Sequence, residues 1–350
     1  FPRRPALMTP DRWTLARETG ALLPVEGSCV AFMARGDADL GALGAAELLA
    51  VQGFRPDHDR LRARGIDVVP GLEDQAGFDA ALVQIVKSRV GTLSAVAEAF
   101  GAVVPGGLIM IDGAKEEGIE AILKALRVHV ELEGVFSKSH GKLIWFRRPD
   151  TVPEAIADWI AVPTETEEGY VIPPGGFSAD GPDRGSEILV ALAPPLKGRV
   201  ADLGAGWGYL GGEILAEQEA ITHLDLIEAD HAMLEAAQAN IDDPRAAFHW
   251  ADVTRFDPAE PYDAIISNPP FHTGRRADTG LGRAFISAAA RMLKPSGKFI
   301  MVANRHLPYE AALKDAFGTG RLIGELEGYK LYEAAKPRKA QGRASRGHRR

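Results

Sequence analysis

The sequence predicts an α/β protein made of two tandem copies of one unit, each a mostly parallel sheet covered by helices. Three observations carry that expectation. Short apolar runs alternate with helix-period segments along most of the chain, which is how a parallel sheet with helical crossovers reads. The two halves also echo each other. Phe78-Asp79-Ala80-Ala81-Leu82-Val83 parallels Tyr262-Asp263-Ala264-Ile265-Ile266-Ser267, and Pro105-Gly106-Gly107-Leu108-Ile109-Met110 parallels Pro295-Ser296-Gly297-Lys298-Phe299-Ile300. Glu131-Leu132-Glu133-Gly134 returns as Glu325-Leu326-Glu327-Gly328 ahead of each last strand. Between the halves, Pro149, Pro153, Pro163, Pro173 and Pro174 interrupt both periods.

Taken in order, the first half has β-rich apolar runs at 28–34, 78–86 and 107–112, read as strands. Helical spacing of apolar residues appears at 93–100 and 117–126. A hairpin-like pair, 130–136 and 142–146, turns through Ser139-His140-Gly141. The proline-rich stretch 149–174 is the expected boundary, with a helical turn at 156–160. In the second half a strand at 199–203 enters a glycine turn that opens a helix at 209–216. Strand 223–228, helix 232–240 and strand 246–250 follow, then strand 263–267, helix 283–293 and strand 298–303. Helix 309–317 and a final strand pair, 322–327 and 330–333, complete it. The expected domains are 1–160 and 161–335, followed by a tail, 336–350.

With 46% apolar and 25% charged residues, the 350-residue chain reads as an ordinary globular protein. No apolar run has the length of a membrane span, and Phe1-Pro2-Arg3-Arg4-Pro5 lacks the apolar core of a secretory signal. The lone cysteine, Cys29, lies in an apolar run, so a buried free thiol is expected, with no disulfide and no metal cluster. The expected compartment is the cytoplasm. The net charge is −8, yet Lys336, Arg338, Lys339, Arg343, Arg346, Arg349 and Arg350 put +7 in the last fifteen residues, leaving −15 on the rest. Such a tail cannot bury a core and is expected to be disordered; it reads either as a solubilising terminus or as a phosphate-contacting arm.

Chemistry concentrates in two stretches of the second half. Asp202-Leu203-Gly204-Ala205-Gly206-Trp207-Gly208 follows a strand and opens a helix, with glycines that let backbone approach a ligand. Gly206-x-Gly208-x-x-Gly211 also fits a dinucleotide fingerprint, but Asp202 is ill placed for a pyrophosphate and well placed for the ammonium of a sulfonium amino acid. Glu228 ends the next strand, placed for ribose hydroxyls, and Asp252 follows the third, placed for an adenine amine. With Ala205, Ala229 and Val253 beside them, these form an adenosine-binding row. The second stretch, Asn268-Pro269-Pro270-Phe271, suits a planar conjugated amine. The Asn268 oxygen and the Pro269 carbonyl can accept its two hydrogens, two prolines stiffen the turn, and Phe271 offers a stacking face. His272 reads as an exposed loop histidine rather than a base. The first half has Gln84-Ile85-Val86-Lys87 at the matching point and no glycine cluster, so it is expected to keep the sheet without the chemistry.

These residues resemble a class I S-adenosylmethionine-dependent methyltransferase. More closely, Asn268-Pro269-Pro270-Phe271-His272-x-Gly274, Val302-Ala303-Asn304 and Leu307-Pro308-Tyr309 resemble the bacterial ribosomal RNA small subunit methyltransferase C family. Its Gly-Val-Phe-Ser and Ser-x-Leu-Leu segments are matched by Gly175-Gly176-Phe177-Ser178 and Ser186-Glu187-Ile188-Leu189. Thr273 stands where the family usually has an acid, and Trp207-Gly208-Tyr209 where Ala-Gly-Val is commoner. The resemblance implies two tandem Rossmann-like class I methyltransferase domains, the N-terminal one degenerate, and transfer to the N2 amine of a guanine in 16S rRNA. It implies S-adenosylmethionine held by Asp202, Gly204, Gly206, Glu228 and Asp252, and the base held by Asn268, Pro269 and Phe271. Three alternatives stay open: a guanine N2 in 23S rRNA, another planar amine such as adenine N6 or a glutamine amide, and a non-catalytic RNA-binding assembly factor. Oligomeric state is not legible.

Overall fold

The computed structural model describes residues 10–176, 178, 181–270 and 279–338. The chain divides into two compact units at Pro163/Thr164. The first unit runs α1 (Arg12–Glu18), β1 (Ser28–Phe32), β2 (Glu47–Val51), α2 (Arg55–Ala63), β3 (Asp67–Val69), β4 (Phe78–Gln84) and α3 (Arg89–Ala102). It continues with β5 (Val103–Ala114), α4 (Ile119–Leu126), β6 (Gly134–Lys138), β7 (Gly141–Arg147) and α5 (Glu154–Ala157). The second begins with β8 (Thr164–Glu165), β9 (Val171–Ile172), α6 (Arg184–Leu192), β10 (Gly198–Leu203), α7 (Tyr209–Glu217), β11 (Ile221–Glu228), α8 (His231–Asn240) and β12 (Ala246–Trp250). It ends with β13 (Tyr262–Ser267), α9 (Thr279–Met292), β14 (Leu293–Asn304), α10 (Glu310–Ala316), β15 (Phe317–Leu326) and β16 (Tyr329–Pro337).

Each unit holds a seven-stranded sheet, and the two have the same order: β3-β2-β1-β4-β5-β7-β6 and β12-β11-β10-β13-β14-β16-β15. Five strands of each are parallel and the last hairpin is antiparallel. Strands with Val, Ile, Leu and Ala on both faces need cover on both, and each sheet has a buried cluster on either side. The repeat is therefore structural as well as textual.

Several elements differ from expectation. Strands β2 and β3, and helices α1, α2 and α6, were not expected. β3 has three residues, too few to show a period. The strands expected at 107–112 and 298–303 begin earlier: Pro105-Gly106 and Pro295-Ser296 lie within β5 and β14, which shift register against β4 and β13 and so tolerate a proline. β6 starts at Gly134 rather than 130, and a Cβ on Gly134 would lie 2.0 Å from the Trp145 ring on β7. The first residues of the tail expected from 336 are structured. Lys336 and Pro337 belong to β16, Phe317 pairs with Pro337, and the Arg338 amide donates to the Ala316 carbonyl at 2.9 Å. Residues 339–350 lie outside the described residues, as do Phe177, Phe271, His272, Thr273 and Gly274. No helix among the described residues is long and apolar enough to cross a membrane. Cys29 is buried on β1, and burial pushes its thiol up to about 12.

Candidate active site

In the second sheet, β10 lies between β11 and β13, where the strand order reverses. Open α/β sheets bind ligands beyond the carboxyl ends of the strands at this point. The carboxyl ends of β10, β11, β12 and β13 lead to Asp202 with its glycine turn, Glu228, Asp252 and Asn268 respectively. The topology thus brings together residues spread over 67 positions of sequence.

The glycine turn needs its glycines for different reasons. Gly204, Gly206 and Gly208 have φ of +74°, +56° and +94°, in the left-handed region that other residues avoid. A Cβ on Gly208 would come within 3.0 Å of Ala237 and Ile241, so this glycine lets α8 pack closely. A Cβ on Gly206 would meet nothing within 4 Å, so the chain there faces open space. The Gly206 amide donates to Glu228 Oε2 at 2.9 Å, while Glu228 Oε1 accepts from the amides of Ala229 and Asp230 at 2.7 and 2.8 Å. Glu228 is thereby fixed, yet remains partly exposed, with acceptor capacity left on Oε2.

Asp202 is fully buried and has no side-chain hydrogen-bond partner among the described residues; the Gly211 amide is the one donor beside its carboxylate, too poorly aligned to form a regular bond. Burial, with the charge of Glu228 adding to it, pushes its pKa up to about 8. A buried acceptor short of donors is costly, which makes Asp202 a candidate to meet a ligand's donor. Asp252 uses Oδ1 to accept from the amide and hydroxyl of Thr254 at 2.8 and 2.7 Å, leaving Oδ2. Ala229 is held through its carbonyl, which accepts from Trp250 Nε1 at 2.9 Å. Val253 sends its side chain into the core, so what it offers a ligand is main chain, and Ala205 is nearly buried as well. The orphaned Asp202 carboxylate, the open side of Gly206 and the pinned Glu228 fit a cationic adenosine cofactor.

The Asn-Pro-Pro turn leaves β13 beside this cradle. Ser267, fully buried, donates its hydroxyl to the Leu203 carbonyl at 2.7 Å, tying the end of β13 to the start of the glycine turn. Pro270 Cδ lies 4.0 Å from where a Gly204 Cβ would be. Asn268 is half-buried. Its Nδ2 donates to Asp183 Oδ2 at 2.7 Å and Ser186 Oγ at 2.9 Å, and its buried Oδ1 has no partner among the described residues. Pro269 is buried and Pro270 exposed.

Sequence reasoning passed over Asp183, Ser267 and Asn240. Asp183 caps α6, a helix the sequence reading did not expect, and its link to Asn268 spans 85 positions. Asn240 accepts from the Val171 amide at 2.7 Å and donates to the carbonyls of Val171 and Trp207 at 2.9 and 2.8 Å. It staples β9 to the glycine turn, where Tyr170, Trp207 and Tyr209 pack ring to ring at 5.2–5.8 Å.

The first unit shows what loss of the site looks like. Ser28 N donates to Asp79 as Arg199 N does to Asp263, and Met33 N reaches the Val51 carbonyl as Gly204 N reaches Ile227. By this register Ala31 replaces Asp202, Met33 replaces Gly204 at φ +54°, Gln52 replaces Glu228 and Gln84 replaces Asn268. Arg12 and Arg35 fill the neighbourhood, pairing with buried Asp112 at 2.5 and 3.2 Å.

The methyltransferase small domain family matches residues 170–333. Curated relatives include the ribosomal RNA small subunit methyltransferase C of Shewanella oneidensis, 31% identical over 242 residues covering 65% of this chain and 69% of the relative. That of Shewanella pealeana is 29% identical over 239 residues, 66% and 70% of the two chains. Among solved structures, a T. thermophilus 16S rRNA N2 methyltransferase in complex with AdoMet and guanosine superposes with a TM-score of 0.76. That match covers 95% of this chain and 93% of that one at 22% identity, a likeness of fold.

Proposed function

The chain belongs to the ribosomal RNA small subunit methyltransferase C family, and on that premise we propose that it methylates the exocyclic N2 amine of a guanine in 16S rRNA from S-adenosylmethionine. The observation that carries the reading is the Ser267–Leu203 bond, which holds the Asn-Pro-Pro turn against the glycine cradle. Residues suited to a cationic adenosine ligand and residues suited to a planar amine thus share one end of the sheet.

When bound, the cofactor supplies an electrophilic methyl: the amine lone pair forms the N–C bond as the C–S pair returns to sulfur, and an amine proton departs to solvent. The chain's part is placement, since an in-line displacement is accelerated chiefly by orientation. Asp202 takes the cofactor's ammonium, Glu228 its ribose hydroxyls and Asp252 its adenine amine. Asn268 Oδ1 and the Pro269 carbonyl accept the hydrogens of the target amine. Phe271 is assigned the stacking face on the family resemblance. A guanine that is paired in the substrate must be flipped or met before its helix closes.

The test is methyl transfer to 16S and 23S rRNA and to small subunits, by the wild type and by Asn268→Ala, with digested nucleosides read by mass spectrometry. N2-methylguanosine in 16S rRNA only, reduced about 100-fold by the substitution, is expected. Product in 23S rRNA alone, or a different methylated nucleoside, sinks the substrate reading.

A further inference from the structure

We propose that Asp183 and Ser186 are positioning residues that decide which edge of the Asn268 amide meets the acceptor amine. The inference rests on Asn268 being the residue that accepts that amine's hydrogens.

An amide has a donor edge and an acceptor edge of the same shape, and only surroundings choose between them. Asp183 Oδ2 already accepts from the amides of Gly185 and Ser186, at 2.8 and 3.3 Å, as the N-cap of α6. A carboxylate has no hydrogen to give, so the Asn268 edge that faces it must be the NH2. Turned over, the amide would set Oδ1 against the carboxylate and forfeit the 2.7 Å bond. With the NH2 edge held by Asp183 and Ser186, Oδ1 is the edge left over, enclosed and without a partner among the described residues. It therefore calls for a donor, which a planar amine supplies. The opposite orientation would oppose N–H to N–H. Space is reserved for the arrangement too: a Cβ on Gly185 would lie 2.9 Å from Asp183 Oδ2 and 3.3 Å from Asn268 Nδ2.

The test is single-turnover methyl transfer to the 16S substrate by full-length Asp183→Ser and Ser186→Ala, each made in the wild type and in Asn268→Ala. Serine is also a favourable N-cap, so Asp183→Ser keeps the helix start while falling short of Asn268. The expected loss is about 10- to 100-fold for Asp183→Ser and several-fold for Ser186→Ala, with cofactor affinity by calorimetry within about twofold. Ser186→Thr, which keeps the hydroxyl, restores the rate. In the Asn268→Ala background neither substitution lowers the rate further, because the residue they orient is gone. Equal losses in both backgrounds, or an unchanged rate in Asp183→Ser, overturn the proposal. An unchanged rate in Asn268→Ala alone instead removes the reading on which it rests.

Discussion

Two buried aspartates on neighbouring strands are treated in opposite ways. Asp225 on β11 is surrounded by partners: His249 and His223 ring nitrogens at 2.7 and 2.9 Å, the Tyr262 hydroxyl at 2.7 Å and Arg199 at 2.5 Å. Burial alone would raise its pKa, but those hydrogen bonds hold it below the ordinary carboxylate range. Asp202 on β10 has burial with no side-chain partner, only the Gly211 amide nearby, and rises to about 8. The first is satisfied within the fold and the second is not. The native state grips the Asp202 proton more firmly than the unfolded chain does, where a carboxyl titrates near 4. Stability from that proton is present at acid pH and lost as pH rises from about 4 to about 8. Asp202→Asn cannot titrate, so without cofactor its melting temperature should gain on the wild type over that window and stay level above it. Cofactor binding should move the other way. A cationic ligand favours the ionised carboxylate, so Asp202→Asn should bind about 10- to 100-fold more weakly, with a flatter pH dependence between 6 and 8. Parallel calorimetric pH series on the two proteins check this. Identical slopes would mean that Asp202 does not meet the ligand's charge.

At the scale of elements, the site is assembled by staples between loops. The Ser267 hydroxyl joins β13 to β10, the Glu228 carboxylate joins β11 to the glycine turn, and Asn240 joins β9 to α8 and to Trp207. Asn240→Ala leaves a Val171 amide and two carbonyls without their partner, at a cost of about 1–3 kcal/mol. Gly176 packs against Met233 on α8, where a Cβ would lie 2.4 Å from its methyl, so the segment through 176 depends on the same support. Hydrogen exchange in Asn240→Ala should therefore speed up across 170–176 while β10, β11 and β13 keep their protection. Uniform loss of protection would show Asn240 to be a general stability residue rather than a local staple.

At the scale of the whole molecule, one sheet topology is used twice and equipped once. Both units place the same strand order beneath a switch point, but the first has Ala31, Met33, Gln52 and Gln84 where the second has Asp202, Gly204, Glu228 and Asn268. In the first unit the buried carboxylate Asp112, on β5, is paired with Arg12 and Arg35. Calorimetry with S-adenosylmethionine should find one site per chain, weakened by substitutions in the second unit. A second site whose affinity Asp202→Asn leaves unchanged would show that the first unit retains a cradle of its own.

The tandem α/β plan, the acidic and glycine row, and the Asn-Pro-Pro turn were legible in the chain. These depend on local spacing: period-2 and period-3.6 patterns, glycines at a strand end, and a proline pair that stiffens a turn. Sequence reasoning missed β3, whose three residues carry no period, and started β5 and β14 after Pro105 and Pro295, because a bulged strand accepts a proline that a regular one rejects. Only the tertiary structure decided that the Asp202 carboxylate is orphaned while Asp225 is satisfied, since both are single aspartates within apolar strands. Only it decided that the cap of α6 holds the amide of Asn268, because that contact joins residues 85 positions apart. A hydrogen bond across such a distance leaves no mark in local spacing, because the folded sheet, not the chain between them, sets the separation of its ends.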